Sequence, residues 1–271
     1  MKYSRREKVP FQKRLSMQLP VINPKTPFQK HYQPAIKSLV AYLTAGLGEN
    51  LHSIYVYGSV ARKTARPEHS NLDIVVVCHE PFDDRKTTVF NTLRWRFQKS
   101  FPFITDIDIR PALVSEVASL ESLFSWGFLL RHCAVCIYGE NLSECFGNYE
   151  TSWEIAKFWN MDIEDRIVYM RDRLVKAGQE SEQLMIQTML AKKLLRASYS
   201  LIMYRDKWWF DDPVECGQHF LKYHPEKEKD IERLSILLRQ KVIPKRSVIG
   251  LLDDYGAWLT KQYKKTEFRI G

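Results

Sequence analysis

No run of about 18 uncharged apolar residues occurs anywhere in this chain of 271 residues, so no spanning helix is expected. The basic N-terminus, MKYSRREKVPFQKR, lacks the apolar stretch that a secretory signal needs. Cysteine is scarce: Cys78, Cys133, Cys136, Cys145 and Cys216 are an odd set at irregular spacings, which does not make a disulfide framework. Cys133 and Cys136 form one C-x-x-C without a second pair, and the seven histidines show no ligand spacing, so zinc is not expected. Repeats and low-complexity tracts are also missing. What remains is 45% hydrophobic and 27% charged, a composition that excludes fibrous and wholly disordered classes. The expectation is a cytoplasmic protein with free thiols, monomeric or homodimeric, without a membrane partner.

Acidic residues are nearly missing from the first 35 positions. Lys2, Arg5, Arg6, Lys8, Lys13, Arg14, Lys25 and Lys30 face Glu7 alone there, while the rest of the chain is close to neutral, so most of the net charge of +9 sits at one end. Residues 1–34 read as a basic arm, able to hold polyanions by counterion release or to solubilise the chain while packing through Phe11, Leu15 and Phe28.

Beyond Pro34, Ile36, Leu39, Val40, Leu43 and Leu47 recur at helical spacing and end at Gly46 and Gly48. A strand is expected over 53–57, a doubly buried strand over 72–77, a helix over 87–99, a strand over 103–109 and a helix over 115–124. This is an α/β (α+β) pattern: a small mixed sheet flanked by helices. After Gly139 the strand signals stop, and helices are expected over 151–175, 181–206, 213–223, 226–239 and 246–264. The partition is then a domain over 35–145 and a C-terminal α-helical bundle domain over 146–271.

The chemistry concentrates in Ile54-Tyr55-Val56-Tyr57-Gly58-Ser59, followed after a spacer by Asn71-Leu72-Asp73-Ile74. A strand enters a tight Gly58-Ser59 turn, and on the next strand Asn71 and Asp73, two apart, share a face. Asp106 and Asp108 repeat that spacing, so carboxylates from neighbouring strands can converge. Such a group suits Mg²⁺, a hard cation that takes one or two carboxylates plus substrate phosphates. Gly58 lets backbone approach a phosphate, and the Ser59 hydroxyl can donate to its oxygens. An uncompensated pair of inward carboxylates is costly, which favours a site over a plain turn.

The ordered set of strand, Gly-Ser, spacer, acidic strand and later carboxylate resembles the nucleotidyltransferase superfamily related to DNA polymerase beta, over roughly residues 50–110. The segment LLRHCAVCIYGENL is similar to the one closing that catalytic domain in small members. The helical stretch LAKKLLRASYSLIMYRDKWWFDD is similar to the C-terminal domain of aminoglycoside adenylyltransferases. The resemblance implies a nucleoside triphosphate donor, ATP first, and Mg²⁺ held by Asn71, Asp73 and Asp108. It makes Asp73, Asp106 and Asp108 the catalytic candidates, with Asp108 favoured over Asp106 as third carboxylate. Asn71 stands where the family carries its first metal-binding Asp, so the chain is either an enzyme, reduced in activity, or a nucleotide-binding relic. Gly58, Ser59, Lys63 and, from the helical domain, Lys192 are the nucleotide-binding candidates. A solvated helix face is the competing reading for Lys63 and Lys192. The acceptor is a small hydroxylated molecule or RNA, the basic arm favouring an anionic one.

Overall fold

The computed structural model describes residues 18–81, 83–239 and 241–269. Phe11 and Leu15 lie outside them. The chain divides into two compact units, Pro20–Tyr149 and a second one that takes in everything from Glu150 onward.

In the first unit, helix α1 (Gln33–Leu47) precedes strand β1 (Leu51–Tyr57), a single helical turn α2 (Gly58–Ala61) and strand β2 (Leu72–Cys78). Helix α3 (Asp84–Ser100) then crosses to β3 (Ile107–Leu113), a turn α4 (Val114–Val117) follows, and β4 is Ala134–Gly139. The sheet order is β3-β2-β1-β4. β1 runs antiparallel to β2 and β4, and β2 runs parallel to β3, the parallel pair being the one that needs the α3 crossover.

One face of this sheet carries Ile54, Val56, Ile74, Val76, Ile107 and Ile109, packed in a single core with Leu39 and Leu43 of α1 and Leu93 and Phe97 of α3. The helical spacing of the α1 leucines is what turns them all to that side. Asp83 caps α3, its carboxylate accepting from the Lys86 N–H at 2.8 Å. On the opposite face Ser53, Tyr55, Val75 and Val77 are buried too, and the Tyr55 hydroxyl accepts from the Leu142 N–H at 2.7 Å. Burial on both faces explains the unbroken apolar run in β2. Residues 20–34 belong to this unit as well: Tyr32 is fully buried, and Phe28 packs on the core.

The second unit is helical: α5 (Trp153–Asn160), α6 (Ile163–Lys176), α7 (Glu180–Ser200), α8 (Met203–Asp206), α9 (Pro213–Phe220), α10 (Glu228–Leu237), α11 (Lys245–Leu251) and α12 (Ala257–Thr266). α7 is its axis, with α5, α6, α9 and α10 packed around it. Asp206 is buried here and accepts from Tyr199 Oη at 3.0 Å and from His219 Nδ1 at 2.9 Å. Among the described residues no helix is long and apolar enough to cross a membrane.

Three local expectations in the first unit differ from what is observed, and in the second unit the helices expected over 151–175 and 181–206 are each broken in two, at 161–162 and at 201–202. β3 begins at Ile107 rather than near Phe103, because residues 101–104 close a turn in which the Ile104 N–H donates to Phe101 O. It also runs through Pro111, which the outer edge of a sheet tolerates because that strand side needs no N–H. The helix expected over 115–124 is only the turn α4, followed by 3₁₀ and π-helical turns as far as Cys133. β4 itself is unforeseen, although Ala134-Val135-Cys136-Ile137-Tyr138 carries a strand's apolar composition.

Candidate functional site

β1 delivers Tyr57 to one end of the sheet, and its antiparallel register sets Tyr57 opposite Asp73 near the start of β2. The parallel register of β2 with β3 then sets Asp73 opposite Asp108. Paired residues on adjacent strands point to the same face, so Tyr57, Asp73 and Asp108 form a row on the side away from α1 and α3.

Gly58 follows Tyr57 with φ +71°, and a Cβ built there would meet Asp73 Oδ2 at 2.1 Å. Only glycine offers both that conformation and that space. Ser59, half-buried, sits in the turn α2, which begins at Gly58, so its hydroxyl and the backbone beside Asp73 are held in a fixed place.

Each carboxylate of the row has a neutral donor on one oxygen. The Asn71 side-chain amide donates to Asp73 Oδ1. Tyr57 Oη donates to Asp108 Oδ2 at 3.1 Å. The Arg110 guanidinium lies 5.2 Å from the centre of the Tyr57 ring. Burial pushes the Tyr57 hydroxyl far above its ordinary value, and the charges of Asp73 and Asp108 add to that against the opposing pull of Arg110. The hydroxyl therefore stays a donor across the whole working pH range.

Asp106 stands outside the row. It precedes β3, is exposed, and its Oδ1 accepts from the Ile107 N–H at 2.7 Å, which ties it to the strand's own start. Of the two candidates for the third carboxylate, Asp108 is the one that faces Asp73. Lys63 adopts φ 61° after α2, with its ammonium 5.1 Å from the centre of the Phe28 ring, and burial lowers its pKa. Lys192 lies half-buried on α7 in the second unit. On that helix Lys193 Nζ donates to Trp159 O at 2.7 Å and Arg196 Nε to Asp211 O at 2.9 Å. Tyr57 and Arg110 are the site residues that sequence reasoning missed. The available signal was parity, since position 57 is the last on its strand before the glycine turn and position 110 is two beyond Asp108.

Asp73, Asp108 and the Asn71 amide are hard oxygen donors beside a glycine cradle, and two carboxylates suit Mg²⁺ completed by phosphate oxygens. Among the described residues no three His, Cys, Asp or Glu side chains converge as a closed metal cage.

Residues 47–117, which contain this whole row, match the family model of the nucleotidyltransferase domain. That stretch is thus a nucleotidyltransferase domain, the catalytic domain of a class of enzymes. The chain's fold is similar to that of a spectinomycin adenyltransferase from Enterococcus faecialis solved with ATP and spectinomycin: TM-score 0.55, 16% identity, 85% of this chain and 98% of that one. A mutant of the toxin–antitoxin complex MntA-HpeT aligns over 49% of this chain and 94% of its own at 12% identity, with a TM-score of 0.29 that carries no weight. No curated protein matches the chain at a significant level.

Proposed function

We propose that the chain is a Mg²⁺-dependent nucleotidyltransferase that moves a nucleoside monophosphate from a nucleoside triphosphate, ATP first, to an acceptor hydroxyl. The observation that carries this reading is the register pairing of Asp73 with Asp108 beside Gly58-Ser59. Gly58 and Ser59 receive the triphosphate, and Lys63 is the candidate cation for its outer oxygens. Asp73 would hold Mg²⁺ with Asn71 as a neutral ligand, and the ion, when bound, would neutralise charge developing on the phosphates. Asp108 takes the proton of the acceptor hydroxyl. The hydroxyl oxygen bonds to the α-phosphorus, the bond from that phosphorus to the bridging oxygen of the β-phosphate breaks, and pyrophosphate leaves.

The acceptor is a small hydroxylated molecule or RNA. The fold similarity supports the former, and the basic segment 1–34 supports the latter. Pyrophosphate release over a panel of both acceptor types, with Asp73→Ala alongside, is the test. Release that survives Asp73→Ala unchanged overturns the assignment.

A second reading is a catalytically weakened nucleotide-binding protein. It is favoured by the Asn71 amide, which brings no charge and donates to the very carboxylate it would share a metal with. Asn71→Asp separates the two. A large rise in turnover identifies a weakened enzyme, and continued silence with intact nucleotide binding identifies a binding protein.

A further inference from the structure

Tyr57 reaches across the sheet. Its own strand pairs with β2, yet its hydroxyl meets a carboxylate on β3, one strand further out, at 3.1 Å. The ring that makes this reach has the Arg110 guanidinium 5.2 Å from its centre, and Arg110 is two positions from Asp108 on the same face of β3. Asp108 is exposed, on an outer strand of the sheet, so by itself its carboxylate is free to rotate among rotamers.

We infer that Tyr57 is a positioning residue: its hydroxyl fixes Asp108 Oδ2 so that Oδ1 is turned to the acceptor hydroxyl, with Arg110 over the ring holding the tyrosine in place. This deepens the nucleotidyl-transfer reading and rests on it. The stacked guanidinium restrains the ring without competing for the hydroxyl proton. A carboxylate with one oxygen pinned gives up little when it becomes the proton acceptor, and misplacement by about 1 Å costs on the order of 10²-fold in rate.

The test is Tyr57→Phe, which keeps the ring under Arg110 and removes only the donor. Nucleotide Kd and KM are expected to stay within about threefold and kcat to fall about 10- to 100-fold. Added to Asp108→Asn, the same substitution is expected to cost nothing more, because the residue it acts through is already gone. A Tyr57→Phe enzyme with unchanged kcat, a loss confined to KM, or an undiminished loss on the Asp108→Asn background overturns the inference. So does a Tyr57→Phe chain that fails to fold, since the role assigned is positioning and not stability. If Tyr57→Phe transfers as the wild type does, this inference falls alone; if the wild type neither binds nucleotide nor releases pyrophosphate, the proposed function falls and this inference with it.

Discussion

Gly58 and Asp73 are so close that the glycine hydrogen is the largest substituent the carboxylate allows: a Cβ would stand 2.1 Å from Oδ2, at a backbone φ of +71°. The pair ties the phosphate-cradling turn of one strand to the acidic residue of the next. Gly58→Ala is therefore expected to do two things at once. The left-handed backbone alone costs about 1–2 kcal/mol, and the carboxylate must also move. A drop in melting temperature of several degrees, together with loss of nucleotide binding, checks this by calorimetry and titration.

Asn71→Asp places a second carboxylate where the amide now donates to Asp73. Without metal the like charges repel, and the melting temperature is expected to fall. With Mn²⁺ as probe the added charge is expected to tighten cation binding by about tenfold or more, as an extra unit charge at ligand distance should. Titration of both proteins with Mn²⁺, followed by electron paramagnetic resonance, measures the difference.

Much of the site was legible from parity and spacing. Apolar residues on either side of Asp73 and Asp108 fix which face they share, so their convergence follows from strand geometry alone. The choice between Asp106 and Asp108 was not open to the same reasoning, because both have the right parity. Only the start of β3 separates them, and that start is set by the turn at 101–104 and by the pairing Leu72 with Ile107. Pro111 hid the rest of β3, since its cost depends on whether the strand is central or outermost, a property of the sheet and not of the local sequence. Tyr57 escaped notice because its partner is 51 residues away and two strands across.

In the helical unit Lys207 caps α8 with φ 55° and ψ 34°, a left-handed conformation that a side chain disfavours. Its side chain is exposed, so Lys207→Gly relieves the backbone at little cost in contacts. A gain of about 0.5–1 kcal/mol is expected, or roughly 1–4 °C in melting temperature. A fall in melting temperature would contradict it.

Asp206 gives the same unit a pH dependence. Burial alone would raise its carboxyl, but the hydrogen bonds from His219 and Tyr199 and the charges of His219 and Lys222 outweigh burial and hold it below the ordinary 3.8. A folded value below the unfolded one means stability that is fully present above pH 3.8 and lost as pH falls through the folded value. Asp206→Asn is expected to cost about 1.5–3 kcal/mol at neutral pH, with the gap to wild type closing below pH 3.8. Denaturant melts of both proteins across that range measure it.

The most direct measurement is thermal unfolding with ATP, GTP, CTP and UTP, each with and without Mg²⁺, on the wild type and on Asp73→Ala. Nucleotide at about 100 times its dissociation constant adds roughly 2.7 kcal/mol, or on the order of 5–10 °C for a chain of this size. A rise that requires Mg²⁺, appears with at least one nucleotide and disappears in Asp73→Ala is the expected result. No rise with any nucleotide, or one that Asp73→Ala leaves intact, contradicts a nucleotide site built on Asp73 and Asp108.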